Sequence, residues 1–90
     1  MARKIVNLVF PQVLIKKPVI FTVSKKYNII PNIRRAKVTE TVGEVTLEFT
    51  GKKENLEKAI RYLERKGIKV EEVPGDLIEW GEYEKNISIN

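Results

Sequence analysis

Residues 45–73 read VTLEFTGKKENLEKAIRYLERKGIKVEEV, and three patterns follow one another within them. Val45, Leu47 and Phe49 alternate with Thr46 and Glu48, the period-two signature of a strand with one buried face. Leu56, Ala59, Ile60 and Leu63 then recur at i, i+3, i+4 and i+7, which marks one face of a helix over Lys53–Lys66. Glu54 and Glu57 lie in its first turns and Arg65 and Lys66 in its last, where the helix dipole favours them. Glu54/Lys58 and Glu57/Arg61 are i, i+4 pairs in the favourable order. Gly67 supplies a left-handed C-terminal stop, and Ile68–Val73 reads as a final strand.

The pattern continues toward the N-terminus. Ala36, Val38 and Val42 share one face of a strand over residues 33–42, with Arg35, Lys37, Thr39 and Thr41 on the other. A turn at Val42-Gly43-Glu44 joins it to the next strand as a hairpin. Residues 28–32 form a turn around Pro31. Before it, Pro18 suits the first turn of a short helix over about 18–27. Ile20, Val23 and Tyr27 face inward, although its Ile, Phe, Thr and Val residues are poor intrinsic helix formers. Residues 11–17 are a loop. Residues 3–10 are a strand with Val6, Leu8 and Phe10 on one face, and Pro11 ends it because proline cannot donate to a ladder.

The resulting order is β-α-β-β-α-β. This is an α+β chain with the ferredoxin-like arrangement: a four-stranded antiparallel sheet with two helices on one face. Residues 1–73 form the domain and residues 74–90 an acidic C-terminal tail around Trp80 that lacks strong periodicity. The outer face of the sheet is bare within one chain. Ile5, Val9, Ile33 and Val73 are expected on it beside Asn7, Arg35 and Lys37, a mixed surface suited to a dimer or a binding partner.

The 90 residues suffice for one domain with a modest core, and 42% apolar against 32% charged residues is globular rather than disordered composition. There is no Cys and no His. Disulfides, Cys/His zinc sites, cysteine nucleophiles and Ser-His-Asp chemistry are therefore excluded for this chain. A carboxylate set of Glu71, Glu72 and Asp76 is unspecific as a metal site, so no metal and no cofactor is expected. Carboxylate pairs otherwise occur only on helix surfaces or in the tail, without the burial that shifts the pKa of a general acid, and the glycines form no phosphate loop. The chain is read as a non-enzyme. No apolar run is long enough to cross a membrane, the N-terminus does not read as a signal peptide, and the default compartment is the cytoplasm.

The net charge of +5 is unevenly spread: residues 1–39 carry nine basic side chains and no acid, residues 40–90 eight basic and twelve acidic. Such asymmetry can mark a nucleic-acid surface. Phe10 and Phe49 fall at core positions, however, where they cannot stack bases, and a Lys/Glu-rich solvated surface accounts for the charges. The stretch Tyr27–Ile33 carries two asparagines. Asn28 suits a helix C-terminus. Asn32, at the start of a strand, is either an Asx-turn residue or an amide able to clamp the charged groups of a small amino acid.

Several segments together resemble the NIL domain, the small module at the C-terminus of the ATPase subunit of bacterial methionine importers, also found alone or fused to ferredoxin modules. They are Leu8-Val9-Phe10, Pro18-Val19-Ile20, Asn32-Ile33, Gly43 ahead of a strand, Phe49-Thr50-Gly51, Ala59–Leu63 and Gly67–Glu71. Two positions depart from the usual pattern: Pro11-Gln12 stands where a glycine is common, and Pro31 where a small or polar residue precedes the asparagine. The resemblance implies a homodimer joined through the sheets, binding a sulfur amino acid, typically methionine, near the subunit boundary. By position, Asn32 would be the polar ligand contact, with Ile33 and Phe10 offering apolar contact to a thioether. Asp76–Lys85 is similar to the acidic linker of the ferredoxin fusions, but no Cys follows it. That implies a free-standing relative of the fused forms, acting as a partner or sensor for a sulfur-assimilation system. Two other readings remain: a docking module for a sulfur-assimilation or iron–sulfur protein, and a nucleic-acid binder using the basic first half.

Overall fold

The computed structural model describes residues 1–74; the expectations for the tail around Trp80 lie outside the described residues. Its elements are β1 (Ala2–Phe10), a 3-10 turn (Gln12–Leu14), α1 (Val19–Tyr27), β2 (Ile30–Val38), β3 (Gly43–Gly51), α2 (Lys53–Arg65) and β4 (Lys69–Val73). The strands form one sheet in the order β2-β3-β1-β4. β1 pairs antiparallel with both β3 and β4, and β2 with β3. This is the ferredoxin-like α+β fold. β2 and β4 are the edges.

One layer of apolar side chains holds helices to sheet. Val6 and Leu8 of β1 and Val45, Leu47 and Phe49 of β3 meet Val19 and Val23 of α1 and Leu56, Ala59 and Leu63 of α2, closed off by Ile29 and Ile68. The helical spacing of α2 and the alternation of β1 and β3 are read out directly in this packing. The weak helix former α1 is held by tertiary burial: Val19 and Val23, an i, i+4 pair, enter the core, while Ile20 and Tyr27 pack at its margin. Tyr27 also meets Tyr62 edge-on at 5.7 Å, and Lys26 and Lys66 cap the Tyr62 ring.

Both helix ends close as local chemistry demands. Asn28 adopts a left-handed φ of 55° and its amide N–H donates to the Ser24 carbonyl. At the end of α2, Gly67 has φ +94°, and the N–H of Ile68 donates to the Leu63 carbonyl at 3.1 Å. A left-handed residue with a Cβ costs about 1–2 kcal/mol relative to glycine. Gly67→Ala should therefore lower the unfolding free energy by that amount, read as a lower urea midpoint with an unchanged slope of the transition.

Two boundaries differ from the expectations. β2 begins at Ile30, so Pro31 and Asn32 are strand residues rather than parts of a turn. Pro31 is tolerated because β2 is an edge, where a missing N–H leaves no ladder bond unmade. The hairpin turn falls at 39–42 rather than at 42–44. The Thr39 N–H donates to the Val42 carbonyl, and the Thr39 hydroxyl oxygen accepts the N–H groups of Thr41 and Val42. Gly43 belongs to β3, where a Cβ would approach Ile15 Cγ1 to 3.0 Å.

The register also corrects the placement of Ile33. Ile33 lies opposite Leu47, and the next pair is Arg35 opposite Thr46, so Arg34 is an extra residue. This bulge inverts the alternation. Ile33 joins Ala36 and Val38 on the helix side, while Asn32, Arg35 and Lys37 are on the outer face. Ile5, Asn7, Val9 and Val73 are on the outer face as expected.

Candidate functional site

The short α1 leaves the upper half of β2 uncovered on the helix side. Ile33 and Val38 are more than half exposed, as is Phe21 on the helix above them. With Phe10, Ile15, Pro18, Ile20, Ala36 and Val45 they enclose an apolar groove of about 280 Å³. Its floor is the end of β1 and the start of β3, its wall is the first turn of α1, and its open side is the β2 edge. Lys17, just before the helix, is part of the lining. Lys25 lies over the Phe21 ring, 5.7 Å from its centroid. The groove can therefore hold a small apolar side chain, with positive charge available beside it.

Of the three residues expected to bind a ligand, Phe10 and Ile33 come together in this groove. Asn32 does not join them. It lies opposite Glu48 on the outer face, since consecutive strand residues point to opposite sides of a sheet. Lys17, Phe21 and Val38 were not singled out from the sequence. The signal available for Lys17 was the Lys16-Lys17-Pro18 step, which places a cation just ahead of a helix beginning.

The outer face has its own polar order. Glu48 is 7% exposed although no helix among the described residues covers it. Arg34 donates to its Oε1 at 3.1 Å, and the Arg3 guanidinium lies 3.1 Å from Oε2 without the alignment of a hydrogen bond. Asn7 donates to Glu44 at 2.9 Å and accepts from the Thr46 hydroxyl at 2.7 Å. With Ile5 8% exposed opposite it, Glu48 lies at the centre of this face beneath the two arginines, whose long stems can cover apolar surface while their charges stay paired.

Among the described residues no group of three or more Cys, His, Asp or Glu side chains could hold a metal. Glu71 and Glu72, adjacent on β4, occupy opposite faces of the strand. No helix among the described residues is long and apolar enough to cross a membrane.

No curated protein matches the chain. Among solved structures, a crystal structure of the C-terminal domain of an ABC transporter/ATP-binding protein from Enterococcus faecalis is similar. It has a TM-score of 0.72 and 25% sequence identity over 80% of this chain and 84% of that one. The NIL domain family model matches residues 4–72, which run from the first strand through the last. With βαββαβ topology, that match and a transporter-derived structural neighbour agreeing, the chain belongs to the NIL domain family.

Proposed function

We propose that this protein is a non-catalytic, cytoplasmic regulatory module that binds methionine or a related sulfur amino acid. The observation that carries the reading is the groove: about 280 Å³, apolar, and bordered by Lys17. That volume is at the lower end of small-molecule sites and suits an amino acid rather than a nucleotide. A thioether is polarisable and gains from contact with an aromatic ring such as Phe10, and Ile33 adds aliphatic contact. Lys17 offers its ammonium to the ligand carboxylate. Asn32 faces away from the groove within one chain, so it reaches the same ligand only from a second protomer brought over the rim.

The mechanism is linkage. A ligand that binds one arrangement of a homodimer better than another shifts the population toward it, and a partner reads the shift. The structural neighbour from an ABC transporter/ATP-binding protein supports a transporter as such a partner. The decisive measurement is calorimetry of the purified protein against methionine, homocysteine and cysteine, with RNA titrated in parallel. Saturable heat with methionine supports the reading. Heat with none of the three at millimolar concentration overturns it in favour of a docking module, and salt-sensitive heat with RNA alone favours the nucleic-acid reading. The assembly is tested separately: light scattering at micromolar concentration should give twice the mass of the chain, and a monomer mass there removes the dimer from the mechanism.

A further inference from the structure

Among the described residues, the sheet has helices on one side only. The last strand, β4, ends at Val73, paired with Ile5, and residues 74–90 follow it in the sequence. We propose that this C-terminal segment docks in cis across the outer face of its own sheet, with Trp80 as the apolar anchor and its acids beside Arg35 and Lys37. The proposal is independent of whether the groove binds an amino acid.

Three observations support this occupant. The first is charge. The segment carries Asp76, Glu79, Glu82 and Glu84 against a single Lys85. The outer face presents Arg3, Arg34, Arg35, Lys37 and Lys69 against Glu44, Glu48 and Glu71. Glu48 is already engaged by Arg3 and Arg34. Among the described residues no carboxylate lies within ion-pair distance of Arg35 or Lys37.

The second observation is reach. From β4 to β2 is three strand spacings, about 14 Å. Six residues from Gly75 to Trp80 span at most roughly 20 Å when extended. The indole therefore arrives over β2 without strain, whereas the groove on the helix side would require the chain to continue around an edge.

The third is the surface itself. Val9, in the same row as Glu44 and Lys37, remains 39% exposed on this face, and Val73 is half-buried at the point where β4 ends. Leu77, Ile78 and Trp80 offer matching apolar area. A guanidinium such as that of Arg35 can also stack on an indole. Docking would make the segment compete with any second protomer for the outer face, so that self-association would depend on the charge of the tail.

Trp80 is the single tryptophan of the chain, which makes the test direct. In the full-length protein its emission should be blue-shifted relative to the same protein in urea, with acrylamide quenching slowed several-fold. The shift should persist on dilution below the concentration at which light scattering reports a monomer. Arg35→Glu with Lys37→Glu, two exposed edge-strand changes checked for folding by circular dichroism, should move the emission to the unfolded value. Adding Glu79→Lys and Glu82→Lys to that variant should restore it. Native emission equal to that in urea overturns the proposal, as does emission unmoved by Arg35→Glu/Lys37→Glu. Loss of the shift on dilution also overturns it and assigns the outer face to a second copy of the chain.

Discussion

Phe49→Ala should destabilise the domain by about 3–5 kcal/mol. Phe49 is among the largest fully buried side chains, 1% exposed in the second half of β3. Its ring belongs to the buried cluster that holds the helices to the sheet, and β3 is paired on both edges, by β1 and β2, which limits relaxation around the loss. A domain of this size holds roughly 5–10 kcal/mol in total. At about 4–8 °C per kcal/mol, the midpoint of thermal unfolding should fall by ~12 °C or more. Leu63→Ala, at an equally buried position of α2, should cost about 2–5 kcal/mol by the same mechanism. A midpoint within a degree or two of wild type for either variant would contradict the packing described, since it would leave the truncated side chain without a role in the core.

The second large effect concerns binding. Ile33→Asp should weaken methionine affinity at least about tenfold, equivalent to 1.4 kcal/mol, while leaving the melting temperature nearly unchanged. Ile33 is 54% exposed, so the folded body loses little apolar burial. A bound thioether, however, would lose its aliphatic neighbour and gain a carboxylate that must be desolvated. Asn32→Ala is the comparison. If a second protomer's Asn32 holds the ligand's charged groups, the loss is about 1.5–3 kcal/mol. If Asn32 serves only the strand, affinity is unchanged and stability moves by about 1 kcal/mol or less. Calorimetry and melting on both variants separate a groove-only site from one completed across a dimer. Unaltered affinity in Ile33→Asp would remove the groove from the ligand reading.

Much of this protein is local in origin. The run from Val45 to Val73 determines a strand, an amphipathic helix and a second strand, because the period of its apolar residues matches the geometry of each element and Gly67 closes the helix with a positive φ that only glycine adopts freely. The positions of Phe49, Leu47 and Leu63 in the core follow from that periodicity, and so does the order that defines the fold. Asn28 as the terminus of α1 is legible for the same reason. Tertiary structure decided what happens at β2. Alternation assigns Ile33 to the same side as Arg35 and Lys37, but the extra residue at Arg34 reverses the parity. A bulge is a property of strand pairing and leaves no periodic trace in a single strand. That one residue carries Ile33 to Phe10 and turns Asn32 toward Glu48. The groove arises from the same level of structure: α1 is too short to cover β2, and only the packed arrangement of helix on sheet shows which apolar side chains remain unburied.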